Sequence, residues 1–254
     1  MPGVRDGGDR VKNRILIGAE DQVFVLTGAG ISAESGLPTF RAEDGLWAGH
    51  KVEDVCSPDA WVLHPGQVWD FYSGRRRDGA KAEPNPAHRA LADLESQLGD
   101  RFFLCTQNVD DLHERAGSKR LVHMHGELNK ARCESDCGRP PVEDRAIYNN
   151  VNEVGRCACG GLLRPHIVFF GEIPLEMDRI EQEIEACTMM VVIGTSGSVY
   201  PAANFVFWAK QAGARTVYIG PEEPLNAVAF THVVLGKAGE ALPGLFEVAE
   251  AERS

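Results

Sequence analysis

Val23–Arg41 reads VFVLTGAGISAESGLPTFR. Its first four residues are all apolar, as expected of a strand buried on both faces, and Gly28 and Gly30 stand where the run breaks. A strand ending in Gly-x-Gly lets backbone amides approach a phosphate closely, and a following helix would offer its positive end to the anion. The spacing is not that of a dinucleotide fingerprint: Gly-x-Gly-x-x-Gly needs a third glycine at 33, where this chain has Ala33. Gly-x-Gly alone is weak evidence, because many strand-to-helix turns use glycine only for positive φ. The polar Ser32 and Ser35 and the sequence Pro38-Thr39-Phe40-Arg41 add to it, since an aromatic and an arginine past such a loop can cover a bound nucleotide.

Outward from this stretch, short apolar runs recur at Val23–Leu26, Phe102–Thr106, Met189–Ile193, Thr216–Ile219 and His232–Leu235. Helical patterns lie between several of them. Asn85-Pro86 reads as an N-cap with proline at the first helical position, and Ala87, Leu91, Leu94 and Leu98 follow at helix spacing. Leu175–Cys187 and the run after Pro201 read as further helices. This alternation predicts a parallel, doubly wound α/β sheet, whose ligands bind at the carboxyl ends of the strands. Three runs end in candidate polar residues: Gly28-Ala29-Gly30, Gln107-Asn108 and Gly194-Thr195-Ser196. Two segments break the alternation, 42–82 and 127–165, and are read as inserted material forming a smaller lobe. The large domain is then 1–41, 83–126 and 166–254.

The 254 residues suffice for one large domain with a smaller partner. A net charge of −11 argues against bulk electrostatic binding to nucleic acid. The N-terminal segment has no apolar stretch of signal-peptide type, and no run approaches the ~18 residues of a membrane span. The odd cysteine count of 7 favours a reducing compartment, read as cytoplasmic, and a metal site over a disulfide framework.

The cysteines cluster as Cys133-x3-Cys137 and Cys157-x-Cys159. Four thiolates in two close pairs suit tetrahedral zinc, although the first pair is one residue longer and the second one shorter than the usual Cys-x2-Cys. The alternative is a degenerate cluster without metal; the reading favours one structural zinc ion. In Thr106–Gly117, Gln107, Asn108 and Asp110 can hydrogen-bond ribose hydroxyls or a carboxamide, although alone the segment is read first as a strand end becoming an N-capped helix. His113 within it is read as structural. Val122–Leu128 holds His123 and His125, and a histidine beside Gly126 is well placed for general-base work near neutral pH.

The ordered motifs GAGIS-x-x-SG-x-P-x-FR, TQN-x-D-x-LH-x-x-AG, HGEL, the cysteine pairs, FGE and GTS resemble the sirtuin family over roughly residues 15 to 248. The resemblance implies a Rossmann-like NAD-binding domain with a smaller zinc-binding and helical lobe, and NAD-dependent protein-lysine deacylase activity. It implies that Ala29, Gly30 and Ser32 hold the NAD phosphates, with Phe40 and Arg41 over the nicotinamide ribose. It places Gln107 at the ribose, Asn108 and Asp110 at the nicotinamide amide, and Thr195 and Ser196 on the adenosine side. Gly28, Trp47, Gly194, Gly220 and Ala238 complete the cofactor set. Gly220 stands where many members have asparagine, so one ribose hydrogen bond is missing or made by backbone. His125 is implied as the catalytic base, with Asn108 beside it.

The resemblance further implies a reaction in which nicotinamide leaves C1′, the acyl oxygen takes its place, and His125 deprotonates the ribose hydroxyls. The products are free lysine, nicotinamide and 2′-O-acyl-ADP-ribose. Val168, Phe170, Gly171 and Glu172 resemble the strand on which the substrate peptide adds between the lobes. Tyr72-x-x-Arg75 resembles the class that removes acidic acyl groups, since a guanidinium binds a succinyl or malonyl carboxylate in two-pronged fashion. The alternative is that Arg75-Arg76-Arg77 is a solvated basic face. Cys56 stands where that class has alanine. The expected partners are acyl-lysine proteins or peptides, with no nucleic acid or membrane, and the chain is expected to be a monomer. Mono-ADP-ribosyl transfer and a non-catalytic NAD-sensing module are the rival readings.

Overall fold

The structure is a computed structural model and describes residues 14–41, 46–197 and 199–249. The ends of the expected large domain (1–13 and 250–254) and the first residues of the expected insertion (42–45) lie outside the described residues. In chain order, β1 (Ile15–Ile17) and β2 (Val23–Thr27) lead into two short 3-10 turns at Ala29–Ile31 and Ala33–Ser35. An antiparallel ribbon follows: β3 (Phe40–Arg41), β4 (Leu46–Trp47) and β5 (His50–Lys51). Next come α1 (Val52–Val55), α2 (Pro58–Leu63), α3 (Pro65–Gly79) and α4 (Pro86–Leu98). The middle of the chain holds β6 (Phe102–Thr106), α5 (Leu112–Ala116), β7 (Leu121–His123), β8 (Gly126–Cys133), β9 (Val142–Glu143) and β10 (Leu163–Ile167). The last stretch is α6 (Met177–Ala186), β11 (Met189–Ile193), α7 (Ala202–Gln211), β12 (Arg215–Gly220), β13 (His232–Leu235), α8 (Ala238–Ala241) and β14 (Phe246–Val248).

All five apolar runs become strands of one parallel sheet, ordered β13-β12-β11-β2-β6-β7. In β2, β6, β11 and β12 the continuous apolarity has a simple cause, because helices cover both faces of the sheet, whereas β13 lies at the edge and is largely exposed. With side chains alternating along a strand, Val23 and Val25 of β2 pack in one layer with Leu91 and Leu94 of α4 and Leu242 after α8. Phe24 and Leu26 pack in the opposite layer with Ile180 and Ile184 of α6 and Phe205 and Val206 of α7. Helix α4 starts where its cap dictates: the Asn85 side chain accepts from the Ala87 amide at 2.9 Å, and the His88 ring accepts from the Asn85 amide at 3.3 Å. The Asn85 side-chain nitrogen, Nδ2, donates to the Ile31 carbonyl at 2.7 Å and so ties α4 to the glycine loop.

The expected helix after the glycine loop is absent. Two 3-10 turns take its place, broken at Gly36, which has φ +84°. The loop therefore presents backbone amides here rather than the end of an α-helix.

A third apolar cluster lies outside the parallel sheet. It joins Val55, Cys56, Trp61, Trp69, Phe71 and Tyr72 of the helical segment to Leu128, Ala131, Ile167 and Phe169. Antiparallel β10, β8 and β9 form its sheet. Arg76 locks α3 onto this sheet. Its guanidinium donates to the carbonyls of Leu128 (2.9 Å) and Ala146 (2.7 Å), pairs with Asp144 at 3.3 Å and lies over the Trp69 ring. Arg76 is thus interior and Arg77 exposed, so the arginine run is not a uniformly solvated face. Among the described residues no helix is long and apolar enough to cross a membrane.

Candidate functional site

The carboxyl ends of β2, β6, β7, β11 and β12 converge, and hydrogen bonds tie them together. Gly28 donates to the Ile193 carbonyl (3.0 Å), Gln107 to Thr27 (2.9 Å), Met124 to Thr106 (3.0 Å) and Gly194 to Ile219 (3.0 Å). Thr27 and Thr106 also join through their hydroxyls at 2.8 Å. The Gly28–Gly30 turn lies directly on the turn after β11. Gly30 donates to the Gly194 carbonyl at 2.8 Å, and a Cβ on Gly28 would fall 2.9 Å from that same oxygen and from the Thr195 Cβ. The two glycines are required by this loop-on-loop contact, whatever else they admit.

Ser32 is the hub of the polar group above the turn. Its hydroxyl donates to Asp110 Oδ2 (3.1 Å), accepts from Asn108 Nδ2 (3.1 Å) and lies 3.5 Å from His88 Nε2. Burial raises the Asp110 pKa, against the lowering effect of its bonds from the Leu112 amide and Ser32. His88 and His113 stack edge to face at 4.9 Å beneath, and His113 Nε2 meets the Thr27 hydroxyl at 3.0 Å. Burial holds both histidines neutral: the His88 pKa is lowered to about 4 and that of His113 falls well below its ordinary value. His113 is structural, as expected. His88 escaped the sequence reading, because nothing in Pro86–Leu98 distinguishes it from a surface histidine. Gln107 Nε2 is buried without a partner, an amide waiting for an acceptor at the strand ends. That orphan donor and the Ser32–Asn108–Asp110 group fit a ligand bearing hydroxyl and amide groups.

His125 follows β7. Its Nδ1 lies 3.1 Å from the Gln107 carbonyl, which can only accept, so the proton sits on Nδ1 and Nε2 keeps its lone pair. Burial lowers its pKa, partly opposed by the Gln107 bond, so the ring is neutral and basic near pH 7. Gly126 turns the chain at φ +87°, and a Cβ there would clash with the His166 carbonyl.

The remaining expected residues divide by lobe. Thr195 is half-buried and Ser196 exposed, both in the turn above β11. Gly220 ends β12, and the Tyr218 hydroxyl occupies the space a side chain there would need. Ala238 is buried in the sheet layer with Ile31, and the next amide, of Gly239, donates to Glu34 at 2.7 Å. Ala29 begins the first 3-10 turn. Phe40 and Arg41 pair with Trp47 and Leu46 through the backbone; their side chains are outside the described set. Trp47 packs edge-on against Phe71 (5.3 Å) and Tyr72 (6.1 Å), in the wall of the smaller lobe.

Tyr72 is fully buried, its hydroxyl beside the Cys56 thiol without a bond of good geometry. Burial pushes the Cys56 thiol up to about 11, so it stays protonated. Arg75 donates one nitrogen to Asp78 at 2.7 Å, while its Nε and Nη1 are buried without partners. Val168–Glu172 does not continue β10 as a strand. The amides of Val168 and Phe170 donate to His125 and Cys56, and Glu172 turns back to the Phe169 carbonyl. The Glu172 carboxylate is held by Arg132 (2.8 Å), Arg164 (2.7 Å) and the Phe169 amide (2.8 Å).

Cys133, Cys137, Cys157 and Cys159 bring their sulfurs within 4.8 Å of one another, all as free thiols. Cys133 and Cys159 approach to 3.4 Å and Cys137 and Cys157 to 3.6 Å. The edge of a ZnS₄ tetrahedron with Zn–S of about 2.3 Å is about 3.8 Å. The unusual spacing therefore still folds into a donor set that suits one structural zinc ion.

A Sir2 family model matches residues 28–201. A protein from Caulobacter vibrioides, named NAD-dependent protein deacylase, is 49% identical over 229 residues, covering 89% of this chain and 95% of that one. A protein from Leishmania major, named NAD-dependent protein deacylase SIR2rp3, is 49% identical over 225 residues, covering 87% and 92%. A crystal structure of a Sir2 homolog–NAD complex superposes with a TM-score of 0.80 at 42% identity, covering 89% of each chain. The convergent strand ends, the buried Ser32–Asn108–Asp110 group, the oriented His125 and the four-cysteine cluster thus lie within a likeness that runs along nearly the whole chain, which belongs to the Sir2 family.

Proposed function

We propose that this chain is an NAD-dependent protein-lysine deacylase that releases nicotinamide and free lysine and leaves the acyl group on ADP-ribose. The observation that carries the reading is His125, with Nδ1 on the Gln107 carbonyl and Nε2 left as a base. Its partner Gln107 directly precedes Asn108 in the segment that also carries Asp110. NAD is the co-substrate; its ribosyl carbon supplies the electrophile when bound. Asn108 and Asp110 form the polar floor for the nicotinamide end, the buried Gln107 amide donates to a ribose oxygen, Ala29, Gly30 and Ser32 hold the phosphates, and Thr195 and Ser196 contact the adenosine side. His125 Nε2 takes the proton from a ribose hydroxyl. The deacylase names of the relatives favour this reading over mono-ADP-ribosyl transfer and over a non-catalytic NAD sensor.

The acyl pocket lies under α3, and acidic acyl groups are among its substrates. Unpartnered Arg75 Nε and Nη1 and an unpartnered Tyr72 hydroxyl support this, since buried donors of this kind ask for an acceptor. Val168, Phe170, Gly171 and Glu172 form the peptide-facing edge. The large domain is 1–41, 83–126 and 166–254, and the smaller lobe 42–82 and 127–165. The protein acts on acyl-lysine proteins as a cytoplasmic monomer. Acetyl-, succinyl- and malonyl-lysine peptides assayed in parallel with NAD, following nicotinamide, test the reading. All three should release nicotinamide; release independent of acyl peptide would sink it.

A further inference from the structure

His123 ends β7 two residues before His125, with only 8% of its surface exposed. Its ring is bound at both nitrogens: Nδ1 lies 2.8 Å from the Asn108 carbonyl and Nε2 lies 2.7 Å from a carboxylate oxygen of Glu114 on α5. Both partners can only accept. A neutral imidazole has one N–H and would point a lone pair at one of them, so the geometry requires the imidazolium. Together, His125 and His123 hold the successive carbonyls of Gln107 and Asn108, the first as a neutral ring and the second as a cation.

We propose that His123 and Glu114 form a positioning pair that fixes the Gln107–Asp110 loop, and that NAD binds tightly only while both ring nitrogens of His123 donate.

Removing one proton forces the ring to give up either Asn108 or Glu114, and the loop carrying the Asn108 carboxamide loses its outer anchor. The contacts of both residues described here are to the protein, so this is a positioning role that rests on the NAD reading above. The charged surroundings agree with the cation. Burial works against it, but the hydrogen bond and charge of Glu114, the Asn108 carbonyl and the charge of Glu127 on β8 outweigh that and raise the His123 pKa above 6.5. Asp110 also feels the His123 charge, Lys130 acts on Glu114, and the facing His113 is neutral. His125 titrates below its ordinary value, so it adds no change on the alkaline side.

The test is NAD binding by calorimetry across neutral to alkaline pH, without acyl peptide, on the wild type, Glu114→Gln and His123→Gln. ADP-ribose, which lacks the nicotinamide, serves as the second ligand. Wild-type NAD affinity should fall roughly tenfold as pH rises through the His123 pKa, the effect of one charge-assisted hydrogen bond. Glu114→Gln keeps an acceptor but removes the charge, and should move that fall to lower pH. His123→Gln should bind NAD roughly tenfold more weakly at neutral pH with no alkaline fall. ADP-ribose affinity should change much less than NAD affinity in all three, because it lacks the nicotinamide that Asn108 and Asp110 hold in the NAD reading. An NAD affinity flat with pH in the wild type, or an unmoved profile in Glu114→Gln, overturns the proposal, as does ADP-ribose tracking NAD. If His123→Gln does not fold, the Glu114→Gln profile decides alone. Complete failure to bind NAD would instead refute the functional reading itself.

Discussion

Gly30 and Gly194 meet backbone against backbone: a Cβ on Gly30 would stand 2.7 Å from both the Cα and the carbonyl oxygen of Gly194. The contact joins the turns after β2 and β11, neighbours in the sheet but far apart in sequence. Gly30→Ala should push these turns apart, costing about 1–3 kcal/mol of stability as an overpacking substitution. NAD affinity should fall more than the melting temperature suggests, because the proposed function puts the phosphates and adenosine on both displaced turns. Thermal melting with and without NAD measures both effects, and an unchanged NAD-induced shift in the variant would contradict this.

Neutral His125 sets an acid limit on turnover. Its pKa is lowered by burial, so the basic form is lost only as pH falls through a value below 6.5. The acyl-peptide-dependent rate should not change with the protonation of this residue near pH 7 and should decline on acidification. His125→Ala should lower kcat by roughly 10²- to 10⁴-fold, the usual worth of a general base, while ADP-ribose binding is kept. Steady-state rates across pH, with ADP-ribose calorimetry, check both halves.

Arg75→Met removes the unpartnered guanidinium nitrogens but keeps an apolar stem over Phe71. Desuccinylation should drop roughly tenfold or more, and deacetylation should change little. Equal losses for both acyl groups would mean that Arg75 serves the fold, not the substrate. Cys56→Ala removes a neutral thiol from beside the Tyr72 hydroxyl. It should raise the succinyl-to-acetyl ratio of kcat/KM if the thiol narrows the pocket wall.

The four clustered thiols should bind one zinc ion per chain, measurable by elemental analysis. Stripping it with a strong chelator should lower the melting temperature, since four close sulfurs gain nothing without a cation between them. Turnover should fall with the fold and return when zinc is restored.

The sheet was legible because fully buried parallel strands spell themselves as apolar runs, and the α4 start was legible because Asn85-Pro86 is a local signal. The glycine loop was half legible. Its position after Leu26 marks the crevice, but the reason for Gly28 and Gly30 lies in Gly194 and Thr195, which no local pattern connects to them. His123 and His125 read alike in sequence. Their opposite protonation comes from partners at 114, 108 and 107 that only the folded chain brings to each ring. The turn at Val168–Glu172 also departs from a strand for a tertiary reason, as Glu172 is drawn back by Arg132 and Arg164.

Arg75, Arg76 and Arg77 are three identical letters with three unlike fates, set by nothing but the ~100° that each step turns about the axis of α3. One retains free donors, one is consumed by the carbonyls of Leu128 and Ala146, and one faces water. The register of the helix, not its charge, is what the run encodes. Inserting or deleting a single residue ahead of Tyr72 would leave the three arginines in sequence, yet it would drive the wrong one into the interior and rotate the cation of the proposed acyl pocket out of place.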